Sequence, residues 1–191
     1  KIFSNYQLII IPKKTEGPFM TIKNALSKIN TDIPSFICDC DHSINIKPMI
    51  DKIDNMNDLS IIIPYWDIVN ENENIEDWGI MYLEGDNIIN FSEKKIVDDY
   101  LTDSYSKYVG IIGCYYFKDL TFFSDNDYIN ITDGLYSYRS KCIPVKINNA
   151  EFFGDKKRLT KTINKRKQIK TIFCDIDGTI IEHEHLDTPI H

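Results

Sequence analysis

Residues 37–44 read ICDCDHSI, an apolar run that ends in two aspartates one residue apart, Asp39 and Asp41. The run follows Pro34 and is predicted to be a short strand. The carboxyl ends of strands in open α/β sheets face the ligand crevice, and one or two carboxylates commonly hold Mg²⁺ together with phosphate and water. The stretch therefore indicates either a metal site for a ligand that carries a nucleoside phosphate, or two aspartates that merely cap the following helix.

The composition is that of a globular protein, with 42% apolar residues among 191 and a net charge of −7. This charge argues against binding to a nucleic acid polymer, and no apolar run is long enough to predict a membrane span. The five cysteines are scattered, which indicates a reducing, cytoplasmic setting without a disulfide framework or zinc site. Because the chain begins with Lys1, we expect a fragment of a longer protein.

The first third of the chain alternates between strand-like and helix-like patterns. Apolar runs at residues 6–11, 35–40 and 59–63 are typical of buried strands. Helical spacing of apolar residues covers residues 19–29 and 46–53. This order predicts an α/β fold with a doubly wound, mostly parallel sheet.

Later segments predict further elements. Residues 79–83 and 88–91 flank Glu-Gly-Asp-Asn, which predicts a small β-hairpin insertion. Residues 109–117 form an apolar strand whose two glycines indicate close approach of a ligand or another backbone. Eight of the 22 lysines and arginines lie in residues 156–170, which reads as a solvated helix leading into a linker or, alternatively, as an anchor for phosphates.

Several residues offer contacts for a nucleotide or a sugar phosphate. Gly17 would let the backbone lie against a flat ligand, and Trp78 beside Gly79 would give a stacking wall with an open backbone. Glu93 offers an acceptor for sugar hydroxyls, and Lys94 offers a cation for a phosphate. Each signal alone is also compatible with an ordinary turn or surface charge.

The succession of these pieces over about residues 2–164 resembles the sugar-1-phosphate nucleotidyltransferases, or nucleotide-sugar pyrophosphorylases. The resemblance implies a nucleotide-diphospho-sugar transferase-like fold and Mg²⁺-dependent transfer of a nucleotidyl group from a nucleoside triphosphate to a sugar 1-phosphate, for surface polysaccharide synthesis. It implies that Asp41, with Asp39, holds the catalytic Mg²⁺, that Lys94 is catalytic and that Gly17 lies near the base. It also implies that Gly79, Glu93 and Lys94 contact the sugar phosphate and that Gly110 lies near the sugar.

The sequence departs from that family in two places. No glycine-rich loop that would grip a triphosphate precedes residue 6, so we expect a nucleotidyltransferase-like domain over residues 1–164 that is truncated at its N-terminus. The second metal-binding aspartate of the family falls on Phe152, with Glu151 one position away. Either Glu151 substitutes as a metal ligand or the second metal site is lost, and the fragment is then inactive.

Residues 171–181, TIFCDIDGTII, resemble the first motif of the haloacid-dehalogenase-like phosphatases. The resemblance implies that Asp175 is a nucleophile, that Asp177 is a general acid/base, and that both help to hold Mg²⁺. The alternative is a strand followed by an ordinary Asp-Gly turn. Because only 14 residues follow Asp177, we expect residues 165–191 to be a linker and the first strand of a truncated phosphatase-like domain.

Two alternatives remain for the chain as a whole. One is a nucleotide-sugar-dependent glycosyltransferase in which Asp39-Cys40-Asp41 is the metal-binding motif, and the other is a non-catalytic remnant that binds a nucleotide sugar. A contact of His42 with phosphate is a further hypothesis, and His183 and His185 are expected to be exposed. The oligomeric state is left open, a homo-oligomer included.

Overall fold

The computed structural model describes residues 7–53, 61–101, 106–124 and 127–166. The chain forms two compact units, residues 1–150 and residues 151–191, and each is described by itself. The domain boundary expected at residue 164 stays a prediction, because most of the second expected domain, from residue 167 on, lies outside the described part.

The first unit is built on a sheet of seven described strands in the order β1-β7-β3-β6-β4-β5, with β8 beside β3. The strands of the unit are β1 (Ser35–Cys38), β2 (His42–Ser43), β3 (Ile61–Trp66), β4 (Gly79–Glu84), β5 (Asn87–Glu93), β6 (Ser106–Ile111), β7 (Cys114–Phe117) and β8 (Cys142–Lys146). Its helices are α1 (Pro18–Ala25), α2 (Lys47–Ile53), α3 (Thr121–Ser124) and α4 (Ile131–Tyr138).

The second unit contains β9 (Glu151–Phe152) and α5 (Lys156–Lys165) in its described part. Asp155 caps α5, because its side chain accepts a hydrogen bond from the amide of Arg158 at 2.8 Å. Such a cap stabilises a helix by about 1 kcal/mol. Thr162 Oγ1 donates to the carbonyl of Phe152 at 3.3 Å, which holds the helix against β9. The basic helix predicted to begin near residue 155 is confirmed over these residues.

The sheet is mostly antiparallel, so the predicted mostly parallel arrangement is wrong for the described strands. Only the pairing of β3 with β8 is parallel, whereas the other five pairings among the described strands of this sheet are antiparallel. Strands β1 and β3 do run in the same direction, since both are antiparallel to β7. The strand–helix–strand unit is therefore present, but a later part of the chain lies between its two strands.

The strand expected at residues 6–11 is not formed in its described part. Residues 7–11 adopt no regular secondary structure, and Leu8 and Ile10 are 79% and 70% exposed. Tyr6 lies outside the described residues. An apolar run has a tendency to be buried, but it becomes a strand only where a neighbouring strand can accept its hydrogen bonds.

The hairpin is confirmed, but it is part of the main sheet and not an insertion. Strands β4 and β5 are joined at residues 85 and 86, where Gly85 has a φ of 61°. This left-handed conformation favours glycine. Because β4 also pairs with β6, the hairpin forms the edge of the sheet at the end opposite to β1.

The strand predicted over residues 109–117 is divided into β6 and β7 by a tight turn. The amide of Cys114 donates to the carbonyl of Ile112 at 2.7 Å, and the amide of Ile112 donates to the carbonyl of Pro64 at 2.9 Å. The turn lets β6 pair with the end of β3 and lets β7 pair with both the start of β3 and β1. The residue inside this turn, Gly113, becomes part of the site described below.

An aromatic cluster fixes α1 and α3 against one face of the sheet. Phe19 of α1, Phe117 of β7 and Phe123 of α3 are all fully buried. The ring of Phe123 lies 5.0 Å from those of both Phe19 and Phe117, measured between centroids. Such pairs contribute about 0.5–1.5 kcal/mol beyond their buried area. The cluster therefore sets the position of α1, whose N-terminal end carries Gly17.

Candidate active site

Three potential metal ligands lie together directly after β1. One ligand atom each from Asp39, Asp41 and His42 can be chosen so that all lie within 4.8 Å of one another. His42 Nδ1 is 3.6 Å from Asp41 Oδ1, with the imidazole side chain only 5% exposed and the carboxylate 56% exposed. The two carboxylates suit a hard divalent cation such as Mg²⁺ or Mn²⁺, whereas an imidazole nitrogen is a ligand typical of transition metals. Asp39, Asp41 and His42 lie within four consecutive residues, so their proximity could be expected from the sequence.

Asp39 packs against the turn between β6 and β7. The amide of Asp39 donates to the carbonyl of Gly113 at 2.7 Å. A Cβ atom at position 113 would lie 1.8 Å from Asp39 Oδ2, which is far inside van der Waals contact. The lack of a side chain at this position is therefore required for the observed placement of Asp39. The sequence predicted close approach of a ligand or another backbone at this glycine, and the group that lies there is an aspartate side chain.

The electrostatics of the cluster favour neutralisation by a cation. Desolvation and the neighbouring carboxylate of Asp41 raise the pKa of Asp39 above its ordinary value, and His42 partly offsets this rise. A bound divalent cation would remove the repulsion between the two carboxylates and favour the ionised form of both. The residues present therefore fit a metal site.

A second acidic site lies where the end of β5 faces the start of β4. Glu93 faces Gly79 in the register of the hairpin. Thr132 Oγ1, in the first turn of α4, donates to Glu93 Oε2 at 2.6 Å. A Cβ at position 79 would lie 2.9 Å from Thr132 Cγ2, so this glycine leaves room for the contact. Sequence reasoning missed Thr132, since nothing in a threonine near a helix start indicates a partner 39 residues away.

Tyr115 connects the two acidic groups electrostatically. Its phenol is buried on β7, and desolvation first, then the charges of Asp39, Glu93 and Cys114, raises its pKa. The carboxylates of Asp39 and Glu93 therefore both contribute to the raised pKa of one buried hydroxyl. The sequence held no sign of this role, because Tyr115 lies in a run of apolar and aromatic residues.

Lys94 takes up an uncommon backbone conformation next to Glu93. Its φ is 57°, a left-handed value that few residues other than glycine, asparagine and aspartate adopt. Its amide donates to the carbonyl of Trp78 at 2.9 Å, and its side chain is exposed. A role of Lys94 in binding the sugar phosphate stays a prediction.

Trp78 does not form the exposed stacking wall that the sequence predicted. Its side chain is buried, and its ring centroid lies 5.7 Å from that of Trp66. A Cβ at position 110 would lie 2.4 Å from Ile68 Cγ2 and 3.1 Å from Trp78. The close approach at Gly110 is therefore made by protein side chains in the core, and its expected nearness to a sugar stays a prediction.

Gly17 also makes its close contact with protein atoms. A Cβ at this position would lie 2.4 Å from the carbonyl oxygen of Ile129, which accepts a hydrogen bond from the amide of Phe19 at 3.2 Å. The glycine thus allows the segment before α4 to pack against the start of α1. The expected contact of Gly17 with a nucleotide base stays a prediction.

The remaining predicted site residues belong to the second unit. Glu151 accepts a hydrogen bond from the guanidinium of Arg166, and both side chains are largely buried. Its carboxylate is therefore engaged in an ion pair within its own unit, and its role as a metal ligand stays a prediction. Asp175 and Asp177 lie outside the described residues, as do His183 and His185.

Comparison with known proteins identifies the fold. No protein-family model and no curated protein matches the sequence. A crystal structure of apo-UDP-glucose pyrophosphorylase is similar, with a TM-score of 0.63 and 16% identity over 83% of this chain and 63% of that chain. The chain thus spans 63% of the length of that enzyme, and it has a nucleotidyltransferase-like α/β fold. None of the described helices has the length and apolar character needed to cross a membrane.

Proposed function

We propose that this chain belongs to a Mg²⁺-dependent enzyme that transfers a nucleotidyl group from a nucleoside triphosphate to a sugar 1-phosphate. The observation that carries the proposal is the cluster of Asp39, Asp41 and His42 at the end of β1, in a chain whose fold is similar to that of a pyrophosphorylase. The products are a nucleotide sugar and pyrophosphate, and a nucleotide sugar would serve the synthesis of a surface polysaccharide in the cytoplasm.

The reaction is an in-line attack of a sugar 1-phosphate oxygen on the α-phosphorus of the triphosphate. Asp39 and Asp41 would hold Mg²⁺, which supplies neutralisation of phosphate charge when bound. Glu93, held by Thr132, would accept hydrogen bonds from sugar hydroxyls, and Lys94 would neutralise the sugar phosphate. Positioning and charge neutralisation account for most of the catalysis in phosphoryl transfer, and we extend this logic to nucleotidyl transfer.

The experiment separates metal binding from turnover. Binding of Mn²⁺ is measured by the shift in melting temperature of the 191-residue chain, for the native sequence and for Asp41→Asn. We expect the native chain to be stabilised and the variant to lose the shift, because Asp41 is an exposed ligand whose replacement leaves the core intact. Asp86→Asn, in the hairpin turn, is the matched control and keeps the shift. An equal shift in the native chain and Asp41→Asn would disprove the assignment.

Turnover is then assayed as Mg²⁺-dependent release of pyrophosphate from a panel of nucleoside triphosphates and sugar 1-phosphates. Release that Asp41→Asn abolishes supports the proposal for this chain. Metal binding together with nucleotide-sugar binding but without release supports the non-catalytic remnant. The glycosyltransferase alternative rests on the Asp39-Cys40-Asp41 spacing, and it predicts release of a nucleoside diphosphate from a nucleotide sugar without formation of pyrophosphate.

We also propose that residues 171–181 begin a phosphatase-like domain, on the motif TIFCDIDGTII alone. Release of phosphate from sugar phosphates would then depend on Asp175 as the nucleophile and on Asp177 as the acid/base. Asp175→Asn is expected to abolish this release. Unchanged release in that variant would remove the nucleophile assignment.

A further inference from the structure

Two cysteines that lie 76 residues apart in the sequence face each other across the sheet. Cys38, the last residue of β1, is paired with Cys114, the first residue of β7. Their Sγ atoms are 2.6 Å apart. Directly opposite residues of an antiparallel pair point to the same face of the sheet, so the register alone brings these two side chains together. Sequence reasoning regarded the cysteines as scattered and missed this pair.

The strand register at this pair is compatible with a disulfide. The next pair along the strands is Asp39 and Gly113, and it is hydrogen-bonded, with an N–O distance of 2.7 Å. Because hydrogen-bonded and non-hydrogen-bonded pairs alternate in antiparallel strands, Cys38 and Cys114 occupy a non-hydrogen-bonded pair. At such a pair the Cα atoms are about 4.5 Å apart, within the range of about 4.4–6.8 Å found in disulfides. A bond between the two sulfur atoms is therefore compatible with the observed pairing of β1 and β7.

The two thiols differ in their access to solvent. Cys38 is exposed on β1, which is the outermost strand at its end of the described sheet, whereas Cys114 is only 2% exposed. A reagent in solution therefore meets Cys38 first, and Cys114 lies behind it as a resolving thiol. The other buried cysteine of the described chain, Cys142, donates to the carbonyl of Tyr138 at 3.3 Å.

We propose that Cys38 and Cys114 form a reversible thiol–disulfide site that is oxidised by peroxides. The thiolate sulfur of Cys38 attacks one oxygen of hydrogen peroxide, the O–O bond breaks, and a sulfenic acid and one water form after protonation. The sulfur of Cys114 then attacks the Cys38 sulfur, the S–O bond breaks, and the second water leaves. Two thiols are thus oxidised by two electrons while one peroxide is reduced to two waters. A dithiol then reduces the disulfide back to two thiols and is itself oxidised to a disulfide.

The cross-link acts on the candidate metal site through the backbone. It ties the end of β1 to β7 one residue before Asp39, and it closes a chain segment of 76 residues. A cross-link that closes a long segment restricts the unfolded chain strongly. Oxidation is therefore expected to raise the melting temperature of the chain. It should also hold β1, the strand that precedes the acidic cluster, more firmly against β7.

The test uses the 191-residue chain, first reduced, then freed of reductant and treated with a small excess of hydrogen peroxide. Remaining thiols are alkylated, and the protein is digested and mapped by mass spectrometry without reduction. We expect a linked peptide that joins Cys38 to Cys114, the loss of two of the five thiols, and an upward shift in melting temperature. Dithiothreitol should reverse all three changes.

Variants at the two exposed cysteines distinguish this pair from its rivals. Cys38→Ser should lose the linked peptide and the thermal shift, and it leaves the buried Cys114 in place. Cys40→Ser, two positions further along, is the matched control and should keep both. The proposal is overturned if peroxide converts Cys38 to a sulfinic acid without a linked peptide, if Cys38 is linked to Cys40 instead, or if Cys40→Ser removes the thermal shift.

Discussion

Gly113 lies directly against Asp39: its carbonyl accepts a hydrogen bond from the Asp39 amide at 2.7 Å, and a Cβ on it would lie 1.8 Å from Asp39 Oδ2. The position of the first carboxylate of the cluster therefore depends on the absence of a side chain at residue 113. The two residues are 74 positions apart, and only the pairing of β1 with β7 brings them together.

Gly113→Ala should consequently displace the Asp39 carboxylate. We expect the affinity for Mn²⁺, measured by titration of the melting-temperature shift, to fall about tenfold or more, which corresponds to about 1.4 kcal/mol. The free energy of unfolding should change little, because the atom that a Cβ would meet is the end of the exposed Asp39 side chain. Gly85→Ala is the control, because residue 85 lies far from Asp39 in the sequence. Its left-handed φ of 61° makes alanine unfavourable there by about 1–2 kcal/mol. It should lose stability but keep its Mn²⁺ affinity, and a similar loss of affinity in both variants would contradict the prediction.

Asp39→Asn should stabilise the metal-free chain at neutral pH. The pKa of Asp39 is raised in the folded state, so the folded protein holds this proton more tightly than the unfolded chain does. Below about pH 3.9, the pKa of an aspartate in the unfolded chain, the carboxyl is protonated in both states and does not destabilise the fold. As pH rises through the raised folded pKa, the ionised carboxylate destabilises the fold, and asparagine removes this effect.

The measurement is the difference in melting temperature between Asp39→Asn and the native chain, in a chelating buffer, from about pH 4 to neutral pH. The difference should grow in favour of the variant as pH rises, whereas added Mn²⁺ should stabilise only the native chain. A difference that is constant with pH would show that the ionisation of Asp39 does not oppose folding.

Thr132→Val should destabilise the fold, because it removes the hydroxyl that donates to Glu93 Oε2 at 2.6 Å. A hydrogen bond to a charged group contributes about 1.5–3 kcal/mol, so the free energy of unfolding in urea should fall by roughly that amount. Thr132→Ser keeps the hydroxyl and should retain most of the stability. If Glu93 binds the sugar, Thr132→Val should also raise the KM for the sugar 1-phosphate more than that for the nucleotide. A loss of stability in Thr132→Ser but not in Thr132→Val would indicate that the methyl group, not the hydroxyl, is what matters.

Lys94→Gly should separate stability from function at one position. The left-handed φ of 57° at Lys94 is unfavourable for a residue with a side chain, and glycine should relieve it and raise the free energy of unfolding by about 1 kcal/mol. The same change removes the cation proposed to bind the sugar phosphate, so the KM for the sugar 1-phosphate should rise. Lys95→Gly, at the next exposed position, is the control. It should raise neither the free energy of unfolding nor the KM for the sugar 1-phosphate. A more stable variant with unchanged kinetics would leave Lys94 without the proposed role.

Much of the local structure could be predicted from the sequence, because its causes are local. The hairpin follows from a turn with Gly85 at a left-handed position. Helix α2 contains Pro48 in its first turn, where a missing amide does no harm. The placement of Asp39 and Asp41 directly after β1 needed only an apolar run and the two residues that follow it.

Strand direction and strand order could not be predicted in this way. A run such as residues 109–117 is apolar whether its neighbours are parallel or antiparallel, because burial on both faces imposes the same composition on it. The turn at Gly113 that inserts β7 between β1 and β3 is decided by which pairings bury the most surface and satisfy the most backbone groups. Those pairings join distant parts of the chain, and no local pattern reports them.

The sequence by itself determined which chemistry is present: two carboxylates and an imidazole after a short strand, and a Glu-Lys pair at the end of a hairpin. The tertiary structure alone decided which groups act on one another. It placed Gly113 against Asp39, Thr132 on Glu93 and Cys38 opposite Cys114. The physical reason is that side-chain chemistry and turn preference belong to single residues and their neighbours, whereas contacts across a sheet arise from long-range pairing.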